Sequence, residues 1–300
     1  MSSWQTTRST IDLTQPRVMG IVNVTPDSFF DGGAHASPGQ ALAHCERLVS
    51  EGADILDIGG ESSRPGAARL SVADELGRVL PVLRGALTLG VPVSVDTCRM
   101  EVMQAALDLG VDIVNDILAL RTPGALELIA AHPACGVCLM HMRADPQTMQ
   151  DAPEYDDVVG EVGAFLAHRL ALAIASGVAP QRIVLDPGIG FGKRPEHNLA
   201  LLSRQRELLR LGRPLLVGWS RKSTLGALTG RAPQDRLAAS LAAALAAVEQ
   251  GASIVRVHDV AATVDALRVW RAAELGAGPA PSPLHNPQAA KPAIHPCDPP

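Results

Sequence analysis

The stretch VPVSVDTCRMEVMQAALDLGVDIVND, residues 91–116, contains one full repeat of the pattern that decides the fold. Two short runs rich in Val and Ile, VPVSVD and VDIVND, flank a segment, EVMQAALDLG, whose apolar residues recur every three to four positions. The flanking runs are typical of strands buried on both faces, and the middle segment is typical of a helix that ends at Gly110. The stretch therefore predicts a strand, a helix and a second strand in succession.

The same alternation continues along most of the chain. Eight strand-like runs can be counted, and helical segments lie between them. Glycine follows most of these segments, as is common at helix C-termini. The predicted strands are residues 18–24, 54–60, 91–96, 111–116, 136–142, 182–188, 214–220 and 253–259.

Eight near-continuous apolar strands, each followed by a helix, indicate an α/β fold of the (β/α)8 TIM-barrel type. An open doubly wound sheet is the alternative architecture. The barrel is favoured because the spacing is regular and because a closed sheet leaves no edge unpaired. We expect an N-terminal extension over residues 1–16, a single barrel domain over residues 17–275, and a disordered tail over residues 276–300, which contain eight prolines.

Composition and charge exclude several classes of protein. The 300 residues carry 26 Lys and Arg against 31 Asp and Glu, a net charge of −5, which argues against a nucleic-acid-binding surface. The longest apolar run, residues 237–248, is too short to cross a membrane, and the N-terminus has no secretory signal pattern. Five scattered cysteines fit a reducing compartment, so we expect a cytoplasmic protein without a membrane partner.

Polar side chains lie at or just after the C-terminal ends of the predicted strands. In a barrel these ends meet at one mouth, where the active sites of this fold lie. Asn and Asp in such places are also common helix caps, but capping does not explain Lys222, Arg256 or His258. The set, in strand order, is Asn23, Glu61, Asp96, Asn115, His141, Asp186, Lys222, and Arg256 with His258.

The side chains of this set favour a particular kind of ligand. Their carboxylates and amides can accept hydrogen bonds from a flat heterocycle, whereas the cations suit a phosphate or a diphosphate. Two glycine-bearing loops, TPDSFFDGG (residues 25–33) and ESSRPGA (residues 61–67), offer backbone N–H groups to such an anion at the same mouth. A carboxylate pair for glycoside hydrolysis is the alternative. The combination indicates a polar ring joined to a diphosphate.

Several other features have two interpretations each. DPGIGFGK, residues 186–193, matches neither the dinucleotide fingerprint nor the P-loop. Cys135 and Cys138 form a C-x-x-C pair, but no second pair has metal-ligand spacing, so we expect core thiols. His141 is either catalytic or structural, and Asp57 belongs either to the chemistry or to a buried network.

Eight motifs, taken in order, closely resemble those of the bacterial dihydropteroate synthases over about residues 18–270. They are NVTPDSF, DIGGESSRPGA, SVDT, VND, MHM, DPGIGFGK, GWSRKS and RVHDV. The resemblance implies a pterin-binding TIM barrel with transferase activity. Such an enzyme joins 6-hydroxymethyl-7,8-dihydropterin diphosphate to 4-aminobenzoate, releases diphosphate and forms 7,8-dihydropteroate. The resemblance also implies Mg²⁺ as cofactor and a homodimer.

Carried over by motif, the resemblance implies a role for each matching residue. The metal contact is expected to be Asn23. The residues expected to bind the pterin diphosphate are Ser63, Asp96, Asn115, Asp186, Lys222, Arg256 and His258. Those expected near 4-aminobenzoate are Arg64, Phe191, Lys222 and Ser223. The groups expected to be catalytic are Asp96, Lys222, Arg256 and His258.

Two alternatives to this function stay open at this point. A pterin-binding barrel that transfers a methyl group from methyltetrahydrofolate to a corrinoid shares the ring recognition, but has no diphosphate for the cations to hold. A catalytically silent paralogue would instead serve as a binding subunit. Two departures are also notable, since Ser63 stands where the family more often has Thr, and the bulky Trp219 is a candidate to line the aminobenzoate site.

Overall fold

Ten strands and nine helices are seen in a computed structural model, which describes residues 3–25, 38–61, 70–143 and 153–275. The strands are β1 (Ser3–Gln5), β2 (Thr10–Asp12), β3 (Arg17–Asn23), β4 (Ile55–Gly59), β5 (Val93–Asp96), β6 (Ile113–Asp116), β7 (Gly136–Met140), β8 (Ile183–Asp186), β9 (Leu216–Val217) and β10 (Ile254–Val257). The helices are α1 (Pro38–Ser50), α2 (Val72–Ala86), α3 (Met100–Asp108), α4 (Ala125–Ala131), α5 (Val158–Ala175), α6 (Pro195–Ser203), α7 (Ser223–Thr229), α8 (Leu237–Glu249) and α9 (Val260–Leu275). The tail predicted for residues 276–300 lies outside the described residues.

The eight strands β3 to β10 form one parallel sheet in the order β8-β7-β6-β5-β4-β3-β10-β9. An isolated parallel bridge between Leu185 and Leu215 joins the two outermost strands. At this junction the N–H of Leu185 donates to the carbonyl oxygen of Pro214 at 3.0 Å. The sheet thus curls into a nearly closed barrel with helices outside it. The predicted (β/α)8 architecture is confirmed, and the open sheet is excluded.

Residues 91–116 form β5, α3 and β6, as their pattern predicts. β5 begins at Val93, two residues later than predicted, because Pro92 has no N–H to donate to a strand ladder. Gly110 ends the helical segment with a φ of +86°, which glycine adopts readily. The residues of α3 that are buried in the core share one face of the helix: Val102, Met103, Ala106 and Leu107.

The antiparallel hairpin of β1 and β2 covers the end of the barrel where the strands begin. Trp4 is fully buried there, and its indole Nε1 donates to the carbonyl oxygen of Arg182 at 2.8 Å. Arg8, in the turn, donates from Nε to the buried carboxylate of Asp112 at 3.0 Å. The residues predicted as an extension therefore share a core with the barrel. That cluster joins Trp4, Ile11 and Leu13 to Met19, Ile55, Ile113, Cys138, Val184, Leu216 and Ile254.

Helix α5 is the one helix in the described ranges that is long and apolar enough to cross a membrane, with a mean hydropathy of 1.6. A third of it is buried in the protein, where Val162 and Leu166 are fully covered. Arg169 in the same helix donates to the carbonyl oxygen of Ala119 at 2.8 Å. These contacts make α5 part of the helical layer that packs on the barrel.

Candidate active site

The C-terminal ends of the barrel strands bring polar side chains together at one mouth. Asp96 ends β5, Asn115 lies one residue before the end of β6, and Asp186 ends β8. Because the strands are parallel and in register, their ends lie side by side. Asp96 pairs with Asn115 across β5 and β6, and Met140 pairs with Asp186 across β7 and β8.

Arg256 of β10 is the centre of a network of ion pairs inside this mouth. Its Nε donates to Oδ2 of Asp57 at 2.6 Å, and its Nη2 donates to Oδ2 of Asp96 at 2.7 Å. Asn115 donates from Nδ2 to the same oxygen of Asp57 at 3.1 Å. Asp57 is fully buried, so the guanidinium compensates a carboxylate that has lost its water. Of the two interpretations of Asp57, the structure shows the buried network.

The second carboxylate oxygen of Asp57, Oδ1, is buried and has no hydrogen-bond partner among the described residues. Buried polar atoms in folded proteins are nearly always paired with protein or water. Oδ1 has no exposed surface through which a ligand could reach it, so Asp57 acts at this mouth through Oδ2.

Burial also changes the acid–base behaviour of the carboxyl groups. It raises the pKa of Asp96 to about 7, while the Arg256 guanidinium opposes the shift. It raises the pKa of Asp186 to about 6, against a hydrogen bond of 2.6 Å from the N–H of Gly188. Loss of water favours the neutral form of an acid, whereas donors on a ligand favour the carboxylate. Ligand binding and deprotonation are therefore coupled at this mouth.

Lys222 and Phe191 lie against each other at the rim. The ammonium nitrogen of Lys222 is 4.2 Å from the centre of the Phe191 ring, within the range of a cation–π contact. Burial and the neighbouring Arg256 lower the pKa of Lys222 to about 8. Ser223, the first residue of α7, is exposed beside them. A ring face, a cation and a hydroxyl together suit an aromatic carboxylate.

His258, directly after β10, is held by Ser220. The Ser220 hydroxyl accepts the backbone N–H of His258 at 3.1 Å and lies 2.9 Å from the ring Nδ1. We assign the hydroxyl as donor to Nδ1, which leaves the ring proton on Nε2. Burial, with Arg221 and Arg256, lowers the pKa of His258 to about 3. The neutral ring can therefore donate from Nε2 to an anion.

The glycine-rich segment after β8 is organised around its own lysine. The ammonium of Lys193 is buried and donates to the carbonyl oxygens of Gly188 at 2.9 Å and Phe191 at 3.0 Å. Gly188 has a φ of +68°, and a Cβ there would lie 1.9 Å from the carbonyl oxygen of His141. The glycines and the lysine of DPGIGFGK are thus explained by the tight folding of the loop that carries Phe191.

His141 supports the same loop. Its Nδ1 lies 2.9 Å from the Lys193 ammonium, and its ring packs edge-on against Phe165 with centroids 4.9 Å apart. Burial and the Lys193 cation hold the pKa of His141 far below its ordinary value. The unprotonated Nδ1 of the neutral ring accepts a hydrogen bond from the Lys193 ammonium. These contacts give His141 a structural role, one of its two predicted interpretations.

Comparison with known proteins assigns the family. Residues 19–258 match the model of the family described as "Pterin binding enzyme". A dihydropteroate synthase of Neisseria meningitidis serogroup B is 56% identical over 275 residues, which cover 90% of this chain and 96% of the relative. The chain belongs to the dihydropteroate synthase family.

Solved structures of dihydropteroate synthases share the fold. That of Xanthomonas albilineans with 4-aminobenzoic acid is 50% identical, with a TM-score of 0.85 over 91% of this chain and 98% of that one. That of Burkholderia cenocepacia complexed with 7,8-dihydropteroate is 47% identical, with a TM-score of 0.85 over 92% of this chain and 97% of that one. The family resemblance drawn from the eight motifs is confirmed.

The residues that dihydropteroate synthase motifs predict for the site fall into three groups. Asn23 ends β3 beside Gly59 of β4, half-buried at the same end of the barrel. Ser63 and Arg64 lie outside the described residues. The structure gathers the rest around the mouth: Asp96, Asn115, Asp186, Phe191, Lys222, Ser223, Arg256 and His258.

Two features that the sequence leaves open are settled by burial. Trp219 is only 2% exposed and packs in the apolar layer between strands and helices, which places its ring in the core. Cys135 and Cys138 are buried free thiols, as predicted, and burial raises the pKa of both.

Three residues that support the dihydropteroate synthase site were not predicted from the sequence. They are Lys193, which organises the loop after β8, Ser220, which holds His258, and Asn198, which bonds to two loops. Lys193 and Ser220 lie inside two of the eight motifs, so their place in the sequence could have identified them. Asn198 lies on α6 between ordinary helical residues, and only the structure reveals it.

Proposed function

We propose that the chain condenses 6-hydroxymethyl-7,8-dihydropterin diphosphate with 4-aminobenzoate to form 7,8-dihydropteroate and diphosphate. The observation that carries the proposal is the pairing of Arg256 with Asp57 and Asp96 beside Lys222 and Phe191 in one mouth. Hydrogen-bond acceptors suited to the pterin ring, hydrogen-bond donors suited to the diphosphate and an aromatic surface thus lie together at this mouth. The two solved relatives hold 4-aminobenzoic acid and 7,8-dihydropteroate, a substrate and the product of this reaction.

The acceptors deep in the mouth recognise the pterin ring. Ionised Asp186 accepts two hydrogen bonds from the aminopyrimidinone edge, a charge-assisted pair that a ring without those donors does not make. Asn115 and Asp96 contact the rest of the ring. Asp57 holds both Asn115 and Arg256 in place through Oδ2.

The reaction breaks the bond between the exocyclic methylene carbon and the diphosphate oxygen. The electron pair leaves with diphosphate, and the cation left behind is delocalised into the dihydropterin. The neutral amine nitrogen of 4-aminobenzoate then attacks this carbon, forms the new C–N bond and loses one proton to solvent. No side-chain nucleophile is required.

The cations at the mouth stabilise the charge on the leaving group. The two ion pairs of Arg256 use Nε and Nη2 and fix the plane of the guanidinium, so we assign Nη1 to the diphosphate. His258 donates from Nε2. Donors held in place before the reaction stabilise developing charge by several kcal/mol. Lys222 lies at the rim, where it contacts both substrates.

Mg²⁺ is part of the proposal. In the described ranges no group of three or more His, Cys, Asp or Glu side chains is arranged to hold a metal, and Asn23 offers one amide oxygen. Mg²⁺ commonly keeps several waters and binds through substrate phosphates, so this sparse donor set fits a metal that arrives with the diphosphate. When bound, it would neutralise charge on the departing diphosphate.

We also propose that the chain forms a homodimer in the cytoplasm. Leu199 on α6, Leu228 on α7 and Leu237 on α8 are 36%, 58% and 41% exposed. A groove between α6 and α8 is lined in part by Leu202 and Ala246. Exposed apolar surface on neighbouring helices supports self-association. Sedimentation velocity is expected to give a dimer, and a monomer at all concentrations would contradict it.

The deciding experiment is an assay of diphosphate release by the purified, folded protein with Mg²⁺. Release is expected only when both dihydropterin diphosphate and 4-aminobenzoate are present. Release without any dependence on 4-aminobenzoate would contradict the proposed condensation. No release from folded protein would instead favour a silent paralogue, and methyl transfer from methyltetrahydrofolate would favour the corrinoid-dependent alternative.

A further inference from the structure

Asn198 is a buried side chain that the proposed reaction does not use. It lies on α6, is 1% exposed and uses both ends of its amide. The amide oxygen accepts the backbone N–H of Gly190 at 2.9 Å. The amide nitrogen donates to Oγ1 of Thr224 at 2.9 Å and to the carbonyl oxygen of Arg194 at 3.1 Å. Both N–H donors and the oxygen of the amide are therefore engaged.

The bond to Arg194, the residue before α6, is local, but the other two join separate loops. Gly190 directly precedes Phe191 in the loop after β8. Thr224 directly follows Ser223 in the first turn of α7, which begins after the loop that follows β9. Asn198 thus connects the neighbours of groups assigned to 4-aminobenzoate without being one of them.

The barrel beneath these loops makes the connection important. β9 has only two residues, and an isolated bridge between Leu185 and Leu215 joins it to β8. Above this short ladder, the Lys222 ammonium lies 4.2 Å from the centre of the Phe191 ring. The hydrogen bonds of Asn198 therefore cross the junction between β8 and β9, where a single isolated bridge pairs the two strands.

We propose that Asn198 is a positioning residue for the amine substrate, because it fixes the loop of Phe191 relative to that of Lys222 and Ser223. The inference rests on the proposed function, which assigns 4-aminobenzoate to this edge of the mouth. Displacing substrate contacts by about an ångström can lower a rate by ~10²-fold even when the changed residue is remote. The pterin ring depends instead on Asp186, at the end of β8, and on the network of Asp57 and Arg256, none of which bonds to Asn198.

Steady-state kinetics of Asn198→Ala and Thr224→Val in the full chain test the inference. Each variant removes one partner of the same bridge, and each is expected to raise KM for 4-aminobenzoate roughly tenfold, as loss of a buried hydrogen bond would. KM for the pterin diphosphate should stay within about twofold. Thr224→Ser keeps the hydroxyl and should restore the wild-type value. The double variant should be no worse than the more affected single variant.

Gln205→Ala is the matched control. Gln205 is an equally buried amide that donates to the carbonyl oxygens of Ala247 at 2.8 Å and Gln250 at 3.2 Å, at the C-terminal end of α8 and away from the mouth. The Gln205→Ala substitution should lower the unfolding temperature and leave the KM values for both substrates unchanged. The same result for Asn198→Ala and Thr224→Val would overturn the inference.

Two further outcomes are distinguishable. If Asn198→Ala does not fold, Thr224→Val and Thr224→Ser decide the matter alone, and equal KM values for those two variants would count against a positioning role. A wild-type protein that releases no diphosphate would overturn the proposed function instead.

Discussion

Asp186 shows how the surroundings of one side chain set its chemistry. Burial raises its pKa to about 6, so the ligand-free carboxyl group gains a proton as the pH falls through that value. The protonated group has lost the charge that the pterin donors require. We expect the contribution of Asp186 to the affinity for a pterin without diphosphate to be full above about pH 7 and to fall below about pH 6.

Asp186→Asn should weaken that binding by roughly 10- to 100-fold and flatten its pH dependence, since a hydrogen bond to a charged group contributes ~1.5–3 kcal/mol. Calorimetric titration of both proteins across this pH range measures the effect. A ligand without diphosphate is used so that ionisation of the diphosphate group does not add a pH dependence of its own. Wild-type affinity in the variant would exclude Asp186 from ring recognition.

Arg256 combines a structural role in the buried network with its proposed role toward diphosphate, and the network allows the two to be separated. Arg256→Ala leaves the fully buried Asp57 without its cation, which is expected to cost ~3–5 kcal/mol of the free energy of unfolding. Adding Asp57→Asn removes the unpaired charge and should recover much of that stability. Turnover should stay low in both variants, because neither has the guanidinium that we assign to the diphosphate.

Denaturant unfolding and diphosphate release, measured on the same samples, give the two quantities. Arg256→Lys serves as a control that keeps the charge but lacks the forked geometry. Recovery of turnover in the double variant would show that Arg256 acts through stability alone.

At the scale of elements, the loop after β8 illustrates how close packing dictates sequence. Gly188→Ala would place a methyl group 1.9 Å from the carbonyl oxygen of His141, at a φ of +68°. Gly212 has a φ of +66°, and a methyl group added there would meet no heavy atom within 4 Å, so Gly212→Ala reports the cost of the backbone conformation alone. We expect ~1–2 kcal/mol for Gly212→Ala and several kcal/mol for Gly188→Ala.

Chemical denaturation gives both costs. Gly188→Ala should also weaken pterin binding, since the N–H of Gly188 donates to Asp186. An equal loss in the free energy of unfolding for the two variants would mean that the loop shifts to accommodate the methyl group at no further cost.

Most barrel elements could be predicted because each leaves a local pattern in the sequence. The run of residues 91–96 is apolar throughout most of its length, and Gly110 marks the end of the next helix. β9 is the exception, since residues 214–220 predict a full strand but only Leu216–Val217 pair regularly. The hairpin of β1 and β2 was not predicted, because strands of three residues carry too little alternation and depend on the barrel floor for burial.

At the scale of the whole molecule, the hairpin is expected to contribute stability and not catalysis. Trp4→Ala removes a fully buried indole and its bond to Arg182, and should cost ~3–5 kcal/mol. The change lies at the opposite end of the barrel from the mouth, so KM for both substrates should be unchanged at temperatures where the variant is folded. Trp270→Ala, at a partly exposed position on α9, is the control and should cost much less.

Thermal unfolding and kinetics at low temperature check this separation. A changed KM in folded Trp4→Ala would show that the floor of the barrel and its mouth are energetically connected.

The site was predictable to the extent that its residues follow strands. Asp96, Asn115 and Asp186 were found because strand ends converge in a barrel. The partners of Arg256 were not, since Asp57 lies 199 positions away in the chain and only closure of the sheet brings the two together. Pairings of that kind are properties of the assembled barrel and leave no local sequence pattern.

The packed interior of the barrel bears on the order in which the two proposed substrates bind. Asp57 and Asn115, deep in the mouth, are 0% and 5% exposed, whereas Ser223 at the rim is exposed. Because Trp4 and the inward-facing side chains of the strands fill the rest of the barrel, both substrates and the product share one opening. We therefore expect the heterocycle to bind before the amine, and the joined product to leave before another heterocycle binds.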